Sequence, residues 1–510
     1  MTIDGHQPSI DLSSHLSALA RARQPSPLKQ MIQYMAQPGM TSFAGGLPHP
    51  AYFAFDSLSV DAYPPHAELS IDAGQPRDMV KLSATRYGEP GSDLSVALQY
   101  GSAHGYAPLV KFVREWAQAV YTPATSDWEV LLHNGNTDAW AKIVRLLCDP
   151  GDWILVEEFT FPSSQGVWIP MGVKGARVKM DSLGMRSDDL RTVLSTWEET
   201  HPGVKRPHVM YVVPVGSNPT GTTMNAQRRQ EIYALCAEFD VIIVEDDPYS
   251  ALQFAEYTPG AEPKVPTAEE FKSSMVPSFL KFDYQGRVIR LESFSKTLAP
   301  GNRCGAFIAQ PAFVERLIRS TEVETQSPSG WSAIIISSLL HQWGISGYLT
   351  WLARLKTEYE IRRNDMVDAV FASFDVKDAA ASGVKDAEGL VAFAKGTNVP
   401  VFSFVPPSGG MFLWIKVYLS KSPVWSSYES KEDPERAFVD DLMEQLIADN
   451  VLLVPGYHYY PFIGADKLTT AAQGLPAGVG YFRLAYSMTV KEQMQAGIQR
   501  MADVFVKNWM

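Results

Sequence analysis

Residues 209–249 run Val209-Met210-Tyr211-Val212-Val213, a turn through Ser217-Asn218-Pro219-Thr220-Gly221, a helical period over Ala226–Phe239, then Val241-Ile242-Ile243-Val244-Glu245 closed by Asp246-Asp247-Pro248-Tyr249. Two short apolar runs rich in β-branched residues, joined by one helix length, read as a βαβ unit whose strands are buried on both faces. The alternation continues in both directions. Upstream, Glu129–His133 and Trp153–Val156 are candidate strands with a helix over Thr137–Leu147 between them; downstream, Val288–Glu292 and Cys304–Ala309 extend the series. This pattern predicts an α/β protein built on a largely parallel sheet.

The 510 residues are 45% hydrophobic and 20% charged, which excludes disorder, collagen and coiled coil and is long enough for two packed lobes. A long amphipathic stretch from about Gly344 to Phe371 ends the first pattern, and Gly409–Ile415 and Tyr481–Leu484 read as strands of a smaller α/β lobe. The division expected is an N-terminal arm (1–45), a small-domain or insertion segment (46–100), a large domain (101–345) and a C-terminal small domain (346–510). Within it, 56–95 is rich in Pro, Asp and Ser and reads as a loop or insertion, and 383–397 as a surface insertion. A formal charge of -12 argues against a nucleic-acid or anionic-membrane surface. Three distant cysteines suggest neither a disulfide framework nor a thiolate metal site, and therefore a reducing compartment. With no early basic patch and apolar run, and no spanning-length apolar segment, the cytoplasm is the expected location.

Ligands of open α/β sheets sit at the carboxyl ends of the strands, so the residues just past each apolar run carry the information. Gly135-Asn136-Thr137 opens a helix, where free N–H groups suit a phosphate, although a simple N-cap explains the same residues. Ser293, Ser295 and Arg303 bring hydroxyls and a guanidinium to the same edge. Lys296 follows a strand among Phe294, Leu298 and Pro300, where desolvation favours the neutral amine that a Schiff base needs; a surface loop lysine is the plain alternative. Asp246 could face a protonated heterocyclic nitrogen, cap a turn or bind metal, but no HExxH, EF-hand or P-loop pattern accompanies it, and no metal centre is expected.

In order, Asn218-Pro219-Thr220-Gly221, Asp246-Asp247-Pro248-Tyr249 and Ser293-Phe294-Ser295-Lys296 with Arg303 resemble fold-type I, class I pyridoxal-phosphate aminotransferases. Phe43–Pro48, Ala97–Gly101, Ser408–Phe412 and Val454-Pro455-Gly456 look like the kynurenine/aminoadipate and fungal aromatic branch of them. The resemblance, over roughly residues 25–505, implies a large domain with a mainly parallel seven-stranded sheet, a smaller α/β domain, pyridoxal 5'-phosphate as cofactor and a homodimer. It implies a transaminase that moves the amino group of an aromatic L-amino acid (Phe, Tyr or Trp, with kynurenine or 2-aminoadipate as further candidates) to 2-oxoglutarate.

Position by position, the resemblance makes Lys296 the attachment point and proton carrier, and Asp246 the partner of the ring nitrogen. Asn218 and Tyr249 would bond the phenolic oxygen, and Phe161 would stack on the ring. Asn136, Thr137, Ser293, Ser295 and Arg303 would hold the phosphate, with Tyr100 reaching it from a second subunit. Arg483 would take the substrate carboxylate, beside Gly46 and Asn218. Asn136-Thr137 stands where much of the branch has Ser-Gln, and Phe161 where many relatives have tyrosine. Tyr52, Leu47 and Tyr87 are candidates for side-chain specificity, and His104, His133 and His458 fall near site loops. A lyase of the same fold is the alternative enzyme. A sensor domain fused to a DNA-binding module would need a basic segment ahead of Gly45-Gly46-Leu47-Pro48, and no recognition-helix pattern is found there.

Overall fold

In chain order the strands are β1 (Ser57–Ala62), β2 (Val80–Thr85), β3 (Glu129–His133), β4 (Trp153–Glu157), β5 (Lys174–Val178), β6 (Met180–Asp181), β7 (Gly184–Met185), β8 (Val209–Val212), β9 (Ile242–Asp246), β10 (Val288–Ser293), β11 (Gly305–Ala309), β12 (Asp375–Asp378), β13 (Leu390–Phe393), β14 (Pro400–Phe404), β15 (Phe412–Val417), β16 (Val454–Pro455) and β17 (Gly480–Ala485). The computed structural model describes residues 6–27, 34, 37–41, 43–70, 74–464 and 468–510. Seven strands form the central sheet in the order β3-β11-β10-β9-β8-β4-β5. β10, β9, β8, β4 and β5 pair in parallel, and β11 runs antiparallel between β10 and β3.

Both faces of this sheet are dry. Along β8 and β9, Val209, Tyr211, Ile242 and Val244 pack into one apolar cluster, while Met210, Val212 and Ile243 pack into the other. A strand covered on both sides needs an unbroken apolar run, which is why these two were plain in the sequence. β5, with Lys174 and Arg177, was not anticipated as a strand. It is the edge strand, and Lys174 lies over the Trp153 ring at 5.2 Å, so its charges stay at the rim.

A second sheet, β12-β13-β14-β15-β17-β16, is antiparallel throughout. It packs through Phe402, Leu413 and Phe482 against Phe438 of the helix Pro434–Ala448 and Met501 and Phe505 of the helix Lys491–Trp509, in the same apolar cluster that holds Tyr211 and Val244. The two lobes therefore share one core. The helix Gly330–Ser373 joins them and is broken at Gly344, whose φ of 64° and ψ of 177° interrupt the helical path.

Three readings of the sequence are corrected here. The 56–95 segment is not simply a loop, because β1 and β2 form an antiparallel hairpin in it; the polar residues of β1 alternate with half-buried ones. The 383–397 segment is not a surface insertion, since it contains β13, whose Val391, Ala392 and Phe393 are buried. The strand placed at Gly409–Ile415 begins at Phe412, after Gly409 and Gly410 have packed against Leu252 and Gly216. Among the described residues, no helix is long and apolar enough to cross a membrane.

Candidate active site

The register Leu291↔Asp246 between β10 and β9, and Val212↔Glu245 between β8 and β9, brings the carboxyl ends of three parallel strands level. A cavity of about 200 Å³ opens there. Asn218, Asp246, Tyr249, Ser293, Ser295 and Lys296 line it from these strand ends. Asn136 and Thr137 complete it from the start of the helix after β3, and Phe161 and Arg303 from the segments after β4 and before β11. Ten residues singled out in the sequence thus meet in one place.

The anion-binding end is built from backbone and cation together. Gly135 (φ 92°) caps the helix Asn136–Leu147, whose first-turn N–H groups are free to bind an anion. The Arg303 guanidinium lies against that turn: a Cβ on Gly135 would stand 2.3 Å from Nη2. Arg303 Nη1 donates to Ser295 Oγ (3.4 Å) and to the Pro300 carbonyl (2.9 Å), and the Ser295 N–H donates to Ser293 Oγ (3.1 Å). Lys296 is part-buried on the same side; desolvation, with the charge of Arg303 second, lowers its affinity for a proton.

At the other end Asp246 is buried, with each carboxylate oxygen held. Tyr211 Oη donates to Oδ2 and Asn136 Nδ2 to Oδ1, both at 2.6 Å. Burial pushes the Asp246 carboxyl up, and the two donors and the charge of Arg290 oppose it. Asn136 was expected in the phosphate cup, but its side chain points to Asp246 instead. Only its main-chain N–H is left for the cup, because the short side chain reaches the sheet end and also donates to the Leu291 carbonyl (3.1 Å). Behind Asp246, the fully buried Arg290 bridges Asp247 (2.9 Å), Glu245 (3.2 Å) and Glu292 (3.2 Å), and Arg229 pairs with Glu245 (3.0 Å).

In the sequence Tyr211 stands only as a strand residue, and Trp140, Ser164, Val213, Pro248 and Pro300 line the cavity with no role of their own expected. The available signal was its phenol inside an otherwise apolar strand, since a buried hydroxyl requires a partner.

Arg483 reaches the site from the smaller lobe. It stands on β17 opposite Trp414, and its Nη1 donates to Asn218 Oδ1 (2.8 Å). Its guanidinium carbon lies 4.4 Å from the Phe412 ring centroid and 5.4 Å from that of Tyr459, and its buried Nε has no hydrogen-bond partner among the described residues. Gly46 and Tyr100 do not join the cavity within one chain. Gly46 is exposed with no atom near its Cβ position, and Tyr100 lines an open depression with Phe53, Phe55 and Trp331. Tyr52, Leu47 and Tyr87 are likewise exposed. His133 accepts from the Gly135 N–H, and burial lowers its pKa to about 3; neither it, His104 nor His458 lines the cavity.

The residues present fit pyridoxal 5'-phosphate. Its phosphate matches the helix start, the serines and Arg303; its ring nitrogen matches Asp246, whose oxygens can each accept a further bond; its aldehyde matches a lysine of lowered proton affinity. Gly135 tests the fit independently, since any side chain there would fill the cradle. A seven-stranded α/β sheet, a smaller lobe and this site define a fold-type I pyridoxal-phosphate enzyme.

Comparison with known proteins narrows the class. The family model described as aminotransferase class I and II matches residues 72–461. An aromatic amino acid aminotransferase of Schizosaccharomyces pombe is 33% identical over 509 residues, covering 98% of both chains. An L-tyrosine:2-oxoglutarate aminotransferase of Tapinella panuoides is 34% identical over 420 residues, covering 81% of this chain and 75% of its own. The crystal structure of aminotransferase Aro8 from Candida albicans superposes with a TM-score of 0.85 at 32% identity, covering 99% of both chains. The chain belongs to the class I and II aminotransferase family, and pyridoxal 5'-phosphate is its cofactor.

Proposed function

We propose that this aminotransferase moves the amino group of an aromatic L-amino acid to 2-oxoglutarate and works as a homodimer in the cytoplasm. The carrying observation is Arg483. Its guanidinium is tied to Asn218, which lines the cavity, and packs on Phe412 and Tyr459, and its Nε, without a hydrogen-bond partner among the described residues, is left for a carboxylate within aromatic surroundings. The name of the fission-yeast relative supports an aromatic donor, and that of the Tapinella relative supports L-tyrosine as donor and 2-oxoglutarate as acceptor.

When bound, pyridoxal phosphate supplies a carbonyl for the amino group and a protonated ring that withdraws electrons. The protein's part is binding, orientation and proton placement. Arg483 takes the α-carboxylate through its fork of donors. Lys296, as a neutral amine, moves the proton at the substrate Cα. With the cofactor bound, Asp246 would hold a proton on the ring nitrogen, Asn218 and Tyr249 would bond the phenolic oxygen, and Phe161 would lie against the ring. Gly135, Thr137, Ser293, Ser295 and Arg303 fix the phosphate. Tyr100, exposed in one chain, would complete this cup from a second copy, and the three buried, unpaired cysteines suit a reducing compartment.

Purified enzyme given L-tyrosine or L-phenylalanine with 2-oxoglutarate should form glutamate and the aromatic 2-oxo acid in equal amounts, and Lys296→Ala should abolish both. Ammonia in place of glutamate would mean a lyase. A preference for aspartate over aromatic donors would overturn the substrate assignment. Fractionation of cells carrying the tagged full chain tests the location; recovery with a membrane-bound organelle would refute it.

A further inference from the structure

We propose that Tyr211 and Asn136 are positioning residues that make the buried Asp246 carboxylate a weaker proton acceptor than it would be without them, so that the proton it faces stays on the cofactor's ring nitrogen. This rests on the reading of Asp246 as the ring-nitrogen partner and adds what governs that carboxylate.

The geometry gives one short, neutral donor to each oxygen: Tyr211 Oη to Oδ2 and Asn136 Nδ2 to Oδ1, both 2.6 Å. A hydrogen bond to an ionised group favours the ionised form. The surroundings hold both donors in place. The Tyr211 ring lies 4.5 Å from that of Trp140, whose indole N–H donates to the Ser164 carbonyl (3.1 Å). Burial beside Asp246 keeps the Tyr211 phenol protonated far above its usual range, so it can only donate toward the carboxylate. Asn136 Oδ1 is buried without a hydrogen-bond partner among the described residues. Turning the amide over would set that oxygen against the carboxylate, so an unpaired acceptor is the cost of aiming the N–H at Asp246. Without either donor the carboxylate binds a proton more tightly, and the proton shared with the ring nitrogen moves toward the aspartate oxygen; no proton is gained or lost.

The test reconstitutes the full-length enzyme and its Tyr211→Phe and Asn136→Ala variants with pyridoxal phosphate carrying ¹⁵N in the ring. The nitrogen resonance should sit at the pyridinium position in the parent enzyme and move toward the neutral-pyridine position in both variants. Turnover should fall about tenfold, the scale of one hydrogen bond to a charged group. In an Asp246→Ala background, Tyr211→Phe should cause no further loss. An unchanged resonance in both variants, or a full additional loss without Asp246, overturns the proposal. A neutral ring nitrogen in the parent enzyme would instead overturn the assignment of Asp246 beneath it. If Tyr211→Phe fails to fold, the ¹⁵N position in Asn136→Ala still decides the matter.

Discussion

At the scale of single residues, the site is a set of close approaches that tolerate little change. Gly135→Ala would force a Cβ to 2.3 Å from the Arg303 guanidinium and hold a positive φ. Arg303→Ala would remove the cation itself. Both variants should bind pyridoxal phosphate at least about tenfold more weakly, the scale of a charge-assisted hydrogen bond; titration by fluorescence quenching checks this, and unchanged affinity in either would remove Arg303 from the cup. Glu157, at the end of β4, takes the Ser217 hydroxyl on Oε2 (3.0 Å), has a buried unpartnered Oε1, and is raised by burial to about 8. Its folded proton affinity exceeds the unfolded one. Its contribution is therefore fully present below the ordinary value of 4.5 and is lost as pH rises toward about 8. Over that window Glu157→Gln should gain on the parent enzyme by up to about 1.4 kcal/mol per pH unit, read from denaturant midpoints. A constant difference would show that Glu157 does not titrate there.

At the scale of elements, the helix Gly330–Ser373 carries the connection between lobes, and its break rests on one residue. Gly344 has φ 64° and ψ 177°, a region open almost only to glycine, and space around its Cβ position is empty. Gly344→Ala should therefore destabilise through backbone strain alone, by about 1–3 kcal/mol. Thermal unfolding measures it, and an unchanged midpoint would mean the helix can run straight. Strands were legible in the sequence in proportion to how evenly they are buried. β8 throughout, and β9 up to Glu245-Asp246 at its carboxyl end, are apolar because both faces are covered, whereas β5 and β13 carry charge or border polar turns and gave no such signal.

At the scale of the whole molecule, the unpaired feature is aromatic surface on the N-terminal segment. Phe43 is 95% exposed, Tyr52 86%, Tyr87 64% and Tyr100 58%. Exposed rings of this size are what an interface with another chain would cover, and the proposed homodimer, with its role for Tyr100, would cover them. Sedimentation should give about twice the 56.4 kDa chain mass, and Tyr100→Ala should loosen the cofactor. A fully active monomer would refute the dimer.

The sequence by itself determined the α/β alternation, the strand ends that carry chemistry and the residue types collected there, because burial on two faces and turn chemistry are local and leave a periodic trace. Only the tertiary structure decided who meets whom. Arg483 finds Asn218 across 265 positions, Asn136 turns from the expected phosphate to Asp246, and Tyr211 becomes a donor rather than filler. Those choices depend on strand register and on the packing of two lobes around one core, which no short stretch of chain encodes.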